Sequence, residues 1–163
     1  MNINHDKYER QDLIAAYVKK ISEVQEKLAT NFNILTDEIK NVLPIKDTEL
    51  AQESDRNISK YHTYLSKTFD EKRKLASLRG KKDEIDGELN DYYRFNWDKS
   101  TKLSETAIGK YVMSHPVYMA INNLVKDQEA VVSYLDGVVT GFRDRGFAIK
   151  NMIEMRKIEM GMN

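Results

Sequence analysis

Apolar side chains recur along this chain at helical spacing. Ile14, Tyr17, Ile21, Val24 and Leu28 are separated by alternating steps of three and four, the a/d seam of a coiled coil, and Phe32, Leu35, Ile39 and Leu43 carry the stripe onward. The pattern predicts a first helix from about Asp6 to Val42, with Thr30-Asn31-Phe32-Asn33 as a weak spot where it could break. Pro44 ends it, because proline disfavours helical geometry in the residue before it. A second stretch begins at the capping types Asp47-Thr48 and runs without proline to about Trp97. Leu50, Ile58, Tyr61, Leu65 and Phe69 mark one apolar side of it, and Leu75, Leu78, Ile85, Leu89 and Tyr92 a later one. Gly80 and Gly87 are its expected points for a bend or a stop, since each costs about 1 kcal/mol relative to alanine.

Thr101 to Met113 reads as a minor helix or an ordered loop. Ser114-His115-Pro116 then opens a last helix running to Met160, with Pro116 suited to the first turn. Its seam is Ile121, Leu124, Gln128, Val131, Leu135, Val138 and Phe142, widened by Val125, Val132 and Val139 and renewed after Gly146 by Ile149, Met152, Ile153 and Met155. Gln128 is the one polar member, of the kind that fixes register. Together with Phe147, these seam residues (Ile121 to Phe142, Ile149, Met152 and Ile153) are the expected oligomerisation surface.

Charged residues make up 32% of the chain and there are only 7 Gly and 2 Pro, which favours long helices over a compact multilayer domain. Such helices bury a stripe and need partners to cover it. The fold expected is therefore all-α, long amphipathic helices with coiled-coil-like packing that assemble with further copies. Three regions of one cooperating unit follow: 1–44, 45–113 and 114–163. No apolar run approaches the roughly 18 residues of a membrane span, so a soluble cytoplasmic protein is expected.

Catalytic chemistry is hard to place. There is no cysteine, and the three histidines, His5, His62 and His115, have no partner at metal-ligand spacing, so they are expected to be solvated or capping. No glycine-rich phosphate loop occurs. Neither an enzyme nor a cofactor or metal is expected.

The net charge of zero conceals segregation. Between Lys67 and Lys82 seven basic residues (Lys67, Lys72, Arg73, Lys74, Arg79, Lys81, Lys82) stand against Asp70 and Glu71, a local excess of five positive charges. Asp83, Glu84, Asp86, Glu88 and Asp91 follow, and then Tyr92-Tyr93-Arg94-Phe95-Asn96-Trp97. Cations neutralise phosphates and exposed aromatic faces stack on unpaired bases, the combination that sequence-tolerant single-strand binding requires. Lys72, Arg73, Lys74, Arg79, Lys81, Lys82, Tyr92, Tyr93, Arg94 and Trp97 are the candidate contacts. Two other readings stay open: a solvated helix face with core tyrosines, or a basic patch that meets an acidic patch on the next subunit.

The C-terminal stretch Arg145-Gly146-Phe147-Ala148-Ile149-Lys150, followed by Met155-Arg156, resembles the end of the UvsY-type recombination mediators of T-even-like phages. Leu35 to Lys40, then Thr48, Leu50, Glu53, Asn57, Tyr61 and Leu65, and Asp91-Tyr92-Tyr93 are similar too, so the likeness covers about residues 35–160 and leaves the first 34 as an extension. The resemblance implies a non-catalytic protein that binds single-stranded DNA as a ring-like homo-oligomer. It further implies partners: a phage recombinase that it loads and a phage single-strand-binding protein that it helps displace, in the host cytoplasm. It also implies a C-terminal helix that supports oligomerisation. One departure stands out: the family's Lys-x-Arg element before Asp-Tyr-Tyr falls here on Gly87 and Leu89. Either the contact has moved to Arg73, Lys74, Arg79, Lys81 and Lys82 on the same helix, or DNA is bound weakly. The alternative function is a structural or adaptor coiled-coil protein that binds a partner helix and no DNA.

Overall fold

The computed structural model describes residues 6–97 and 103–161; His5 and the Thr101 start of the third expected segment lie outside them. Among the described residues every regular element is helical: α1 (Asp6–Glu9), α2 (Gln11–Val42), α3 (Leu50–Phe95), α4 (Glu105–Ser114) and α5 (Pro116–Glu159), with a 3-10 turn at Asp47–Glu49 before α3. The fold is all-α, as expected. No helix among the described residues is long and apolar enough to cross a membrane.

Local chemistry explains most helix ends. α2 stops two residues before Pro44, as expected. Ser104 caps α4, its hydroxyl accepting the Ala107 N–H at 3.3 Å. His115 is extended (φ −69°, ψ 131°), the geometry its following proline favours, and it starts α5 twice over. Its carbonyl accepts the Met119 N–H at 3.0 Å, and its Nδ1 accepts the Val117 N–H at 3.3 Å.

Three expected interruptions are absent. α2 passes through Thr30–Asn33, where the Thr30 hydroxyl donates to the Glu26 carbonyl at 3.0 Å within the helix. α3 continues through Gly80 and Gly87, neither of which has positive φ. Burial of Leu75, Ile85 and Leu89 on either side outweighs the roughly 1 kcal/mol that each glycine costs.

The chain forms two compact units, one of residues up to Thr30 with Lys74–Glu129, the other of Asn31–Arg73 with residues from Ala130. The divisions fall inside α2, α3 and α5, whereas the expected regions 1–44, 45–113 and 114–163 meet near helix ends.

In the first unit Tyr8, Ile14 and Ile21 pack with Ile85, Leu89, Tyr92 and Tyr93 of α3, Ile108 and Val112 of α4, and Val117, Ile121 and Leu124 of α5. Tyr8 donates a hydrogen bond to Glu88, and its ring lies 6.4 Å from that of Tyr92 and edge-on to His115 at 5.6 Å. In the second unit α3 runs antiparallel to α5. Successive α3 positions Asn57, Tyr64 and Lys72 meet successively earlier α5 positions, Arg145, Phe142 and Asp136. The Tyr64 and Phe142 rings stack at 5.1 Å in its centre.

The α5 seam turns inward. Ile121, Leu124 and Gln128 are buried within the first unit, and Val131, Leu135, Val138, Phe142 and Ile149 within the second. For these residues the expected seam between chains is corrected to a core within one chain. A heptad spacing identifies an apolar face but not whose apolar face meets it.

Candidate nucleic-acid interface

The basic residues divide between the units, and most already have an acidic neighbour. In the second unit Lys67 reaches Glu38 at 3.3 Å, Lys72 reaches Asp136 at 2.9 Å, and Arg73 reaches Asp70 at 2.7 Å. In the first, Arg79 pairs with Glu129 at 2.7 Å and Lys81 with Glu84 at 2.7 Å. Its hydrogen bond to the Glu84 carboxylate holds the pKa of the Lys81 ammonium above its ordinary value. Lys82 lies over the Tyr118 ring at 5.4 Å, and Arg94 pairs with Glu105 at 2.6 Å. Lys74 is exposed. Exposed pairs of this kind contribute about 0–1 kcal/mol, so a phosphate can displace the carboxylate at little cost. The run is thus a set of exchangeable cations rather than an unscreened positive surface.

The aromatic candidates separate by burial. Tyr92 and Tyr93 lie in the first unit's core, where burial pushes both hydroxyls above the usual tyrosine range. Their faces are covered by protein, which corrects the expectation that they stack on bases. Trp97 and Phe95 are exposed. Tyr111, which was not among the sequence candidates, joins them from α4, its ring stacked on Tyr93 at 5.4 Å. Gly87 is exposed, but Leu89, the other position of the departed Lys-x-Arg element, is fully buried. No cation could replace that leucine without a buried charge.

The C-terminal motif has a different role in each half. Arg145 is 7% exposed and each of its three guanidinium nitrogens donates a hydrogen bond. Nε donates to the Leu43 carbonyl at 2.9 Å, Nη1 to Asn57 Oδ1 at 3.0 Å, and Nη2 to the Pro44 carbonyl at 3.2 Å and to Glu53. Asn57 Nδ2 donates in turn to the Phe142 carbonyl at 3.0 Å. A Cβ on Gly146 would stand 3.0 Å from that same Nδ2, so glycine leaves the amide its place. Burial acts to raise the Glu53 carboxyl, but the Arg145 hydrogen bond and charge, with Arg56 at 3.2 Å, outweigh it and hold the group below its ordinary range. The network ties α3, α5 and the α2–α3 connection together. Glu53 and Asn57, one turn apart on α3, were legible only as points of resemblance.

Beyond Gly146 the helix is apolar on two sides. Ile149 is buried, Met152 and Ile153 are half-buried, and on the other side Phe147, Met155 and Ile158 are 61–70% exposed. Lys150 is exposed and Ala148 half-buried, while Arg156 pairs with Asp47 at 3.0 Å. Among the described residues no cluster of three or more His, Asp or Glu side chains is arranged to hold a metal ion.

A family model described as "Recombination, repair and ssDNA binding protein UvsY" matches residues 37–162. Crystal structures of the bacteriophage T4 recombination mediator protein UvsY share the fold. One lattice form aligns with a TM-score of 0.71 at 20% identity, covering 78% of this chain and 98% of that one. Another gives 0.69 at 21% identity, covering 77% and 98%. No curated protein matches the chain by sequence.

Proposed function

The chain belongs to the UvsY family, described as recombination, repair and ssDNA binding proteins, and on that footing we propose that it is itself a recombination mediator. It binds single-stranded DNA as a ring-like homo-oligomer and promotes loading of a phage recombinase in place of the phage single-strand-binding protein, in the cytoplasm of the infected host. The observation that carries the reading is the family match over residues 37–162. The grip on DNA is assigned to Lys74, Arg79, Lys81 and Lys82 in the first unit; the carboxylates that pair with Arg79 and Lys81 are exposed and exchangeable. Arg94 adds to it in the first unit, and Lys72 and Arg73 are separate candidate contacts in the second. No covalent step is involved; the protein acts by holding and handing over a strand.

Self-association is assigned to the outer side of α5, where Phe147, Met155 and Ile158 form an exposed apolar stripe. Met152 and Ile153 flank it. Repeating a weak DNA site around an oligomer raises its avidity through effective concentration. The adaptor reading keeps one observation in its favour, the acidic partners already seated on the cations.

Fluorescence anisotropy of a labelled oligonucleotide at two salt concentrations tests the proposal. Binding is expected at low salt and should fall steeply as salt rises, because counterion release drives it. Replacing Arg79, Lys81 and Lys82 together by alanine should flatten that salt slope and weaken binding without changing oligomer size. Absence of binding at low salt would leave the adaptor reading standing.

A further inference from the structure

The geometry points to a base-stacking ledge made by Trp97 and Tyr111, with Arg94 and Lys110 as flanking cations for the backbone of a single strand. This rests on the single-strand-binding reading and gives it a place for an unpaired base.

The ledge is the outer end of a continuous series of rings in the first unit. Tyr92 and Tyr93 lie 5.0 Å apart at its buried end. Tyr111 stacks on Tyr93 with an interplanar angle of 26°, and Trp97 lies 5.8 Å from Tyr111 at 33°. Trp97 is fixed from behind as well, since its backbone N–H donates to the Tyr92 carbonyl at 3.1 Å and its ring contacts Tyr93 at 5.4 Å. Both outer rings are therefore held in place by buried neighbours, yet Trp97 is 48% and Tyr111 41% exposed. Two adjacent aromatic rings inclined at 33°, each held in place and partly open to solvent, offer ring surface on which a base can stack.

Charge selects among possible occupants. Arg94 precedes the ledge by three residues and Lys110 adjoins Tyr111; both are exposed. Arg94 holds Glu105 at 2.6 Å, a pair exposed enough for a phosphate to displace. An apolar plane flanked by cations suits a base attached to a phosphate backbone better than it suits an apolar helix. Duplex DNA keeps both faces of each base occupied by its neighbours, so the ledge favours single strands.

Trp97 is the chain's single tryptophan, so its emission reports on the ledge alone. The full chain is titrated at low salt with fluorescein-labelled oligothymidylate and with an abasic strand of equal length, following anisotropy and tryptophan emission together. Quenching in step with the anisotropy rise, and weaker binding of the abasic strand with emission unchanged, are expected. Tyr111→Leu should weaken oligothymidylate binding by about 5- to 150-fold, while Tyr111→Phe retains it. Equal affinity for both strands with unchanged emission would overturn the ledge and leave single-strand binding intact. No anisotropy change with either strand would remove both readings. The strand comparison uses the unmodified protein, so the outcome does not depend on a variant folding.

Discussion

The two compact units share three helices but are held by different chemistry. The first is an apolar and aromatic packing in which Tyr8, Ile14 and Ile21 supply one side. The second is organised around a buried guanidinium that meets two backbone carbonyls, an amide and a carboxylate. The family match runs through both units, Lys74–Glu129 lying in the first, but its recognisable points are unevenly shared. Most residues that carry the family resemblance, including Glu53, Asn57, Arg145 and Gly146, lie in the second unit. Residues 6–30, which precede the matched span of 37–162, pack in the first. A polar network demands particular atoms at particular distances and so leaves a recognisable motif. Apolar packing accepts many sequences and can be extended by adding another helix.

Breaking the polar network is one of the two largest expected effects. Arg145→Met removes the buried partner of Glu53, leaving it only the half-exposed Arg56, and should cost about 3 kcal/mol in denaturant unfolding. Adding Glu53→Leu to that variant should return part of the loss, because the stranded charge is then gone. Tyr8→Ala should cost about 3 kcal/mol, by loss of a buried ring. Hydrogen exchange would separate the two: faster exchange around Val131–Ile149 for the first variant, and around Ile85–Tyr93 for the second.

Acid provides the mildest separation. Burial holds the His115 imidazole below its ordinary value, with a hydrogen bond to the Tyr8 backbone acting the other way. The Tyr8 and Tyr93 rings face it. The unfolded chain therefore takes up that proton first, and stability is lost as pH falls from about 6.5 through the depressed folded value. The Glu53 carboxyl is depressed too, so its contribution is complete above about 4.3 and is lost only as pH falls through its own lowered value. Exchange measured across an acid titration should show the first unit loosening before the second. The reverse order would undo the contrast drawn between them.

Helix existence was legible from spacing, and so was the stop at Pro44, because both depend on neighbours in sequence. What lay across the chain was not. The seam from Ile121 to Phe142 has the right period but meets the chain's own helices rather than another copy. The basic run looked unscreened because Asp136 and Glu129, the partners of Lys72 and Arg79, stand 64 and 50 residues away. Glu53 and Arg145 are 92 residues apart, and no local pattern announces a bond at that separation. Tyr92 and Tyr93 are legible either as base contacts or as core tyrosines, and only their place in the first unit's packing decides for the core.

Each unit is stitched from pieces distant in sequence, with Gln25 bonded to Asp127 in one and Arg145 to Leu43 in the other, each 102 residues apart. During synthesis neither can close until α5 has left the ribosome, so the nascent helices α2 and α3 wait with their apolar faces uncovered. Contacts of such long range also slow folding relative to bundles built from neighbouring hairpins. A newly made chain of this kind spends its most vulnerable moments before its final helix arrives.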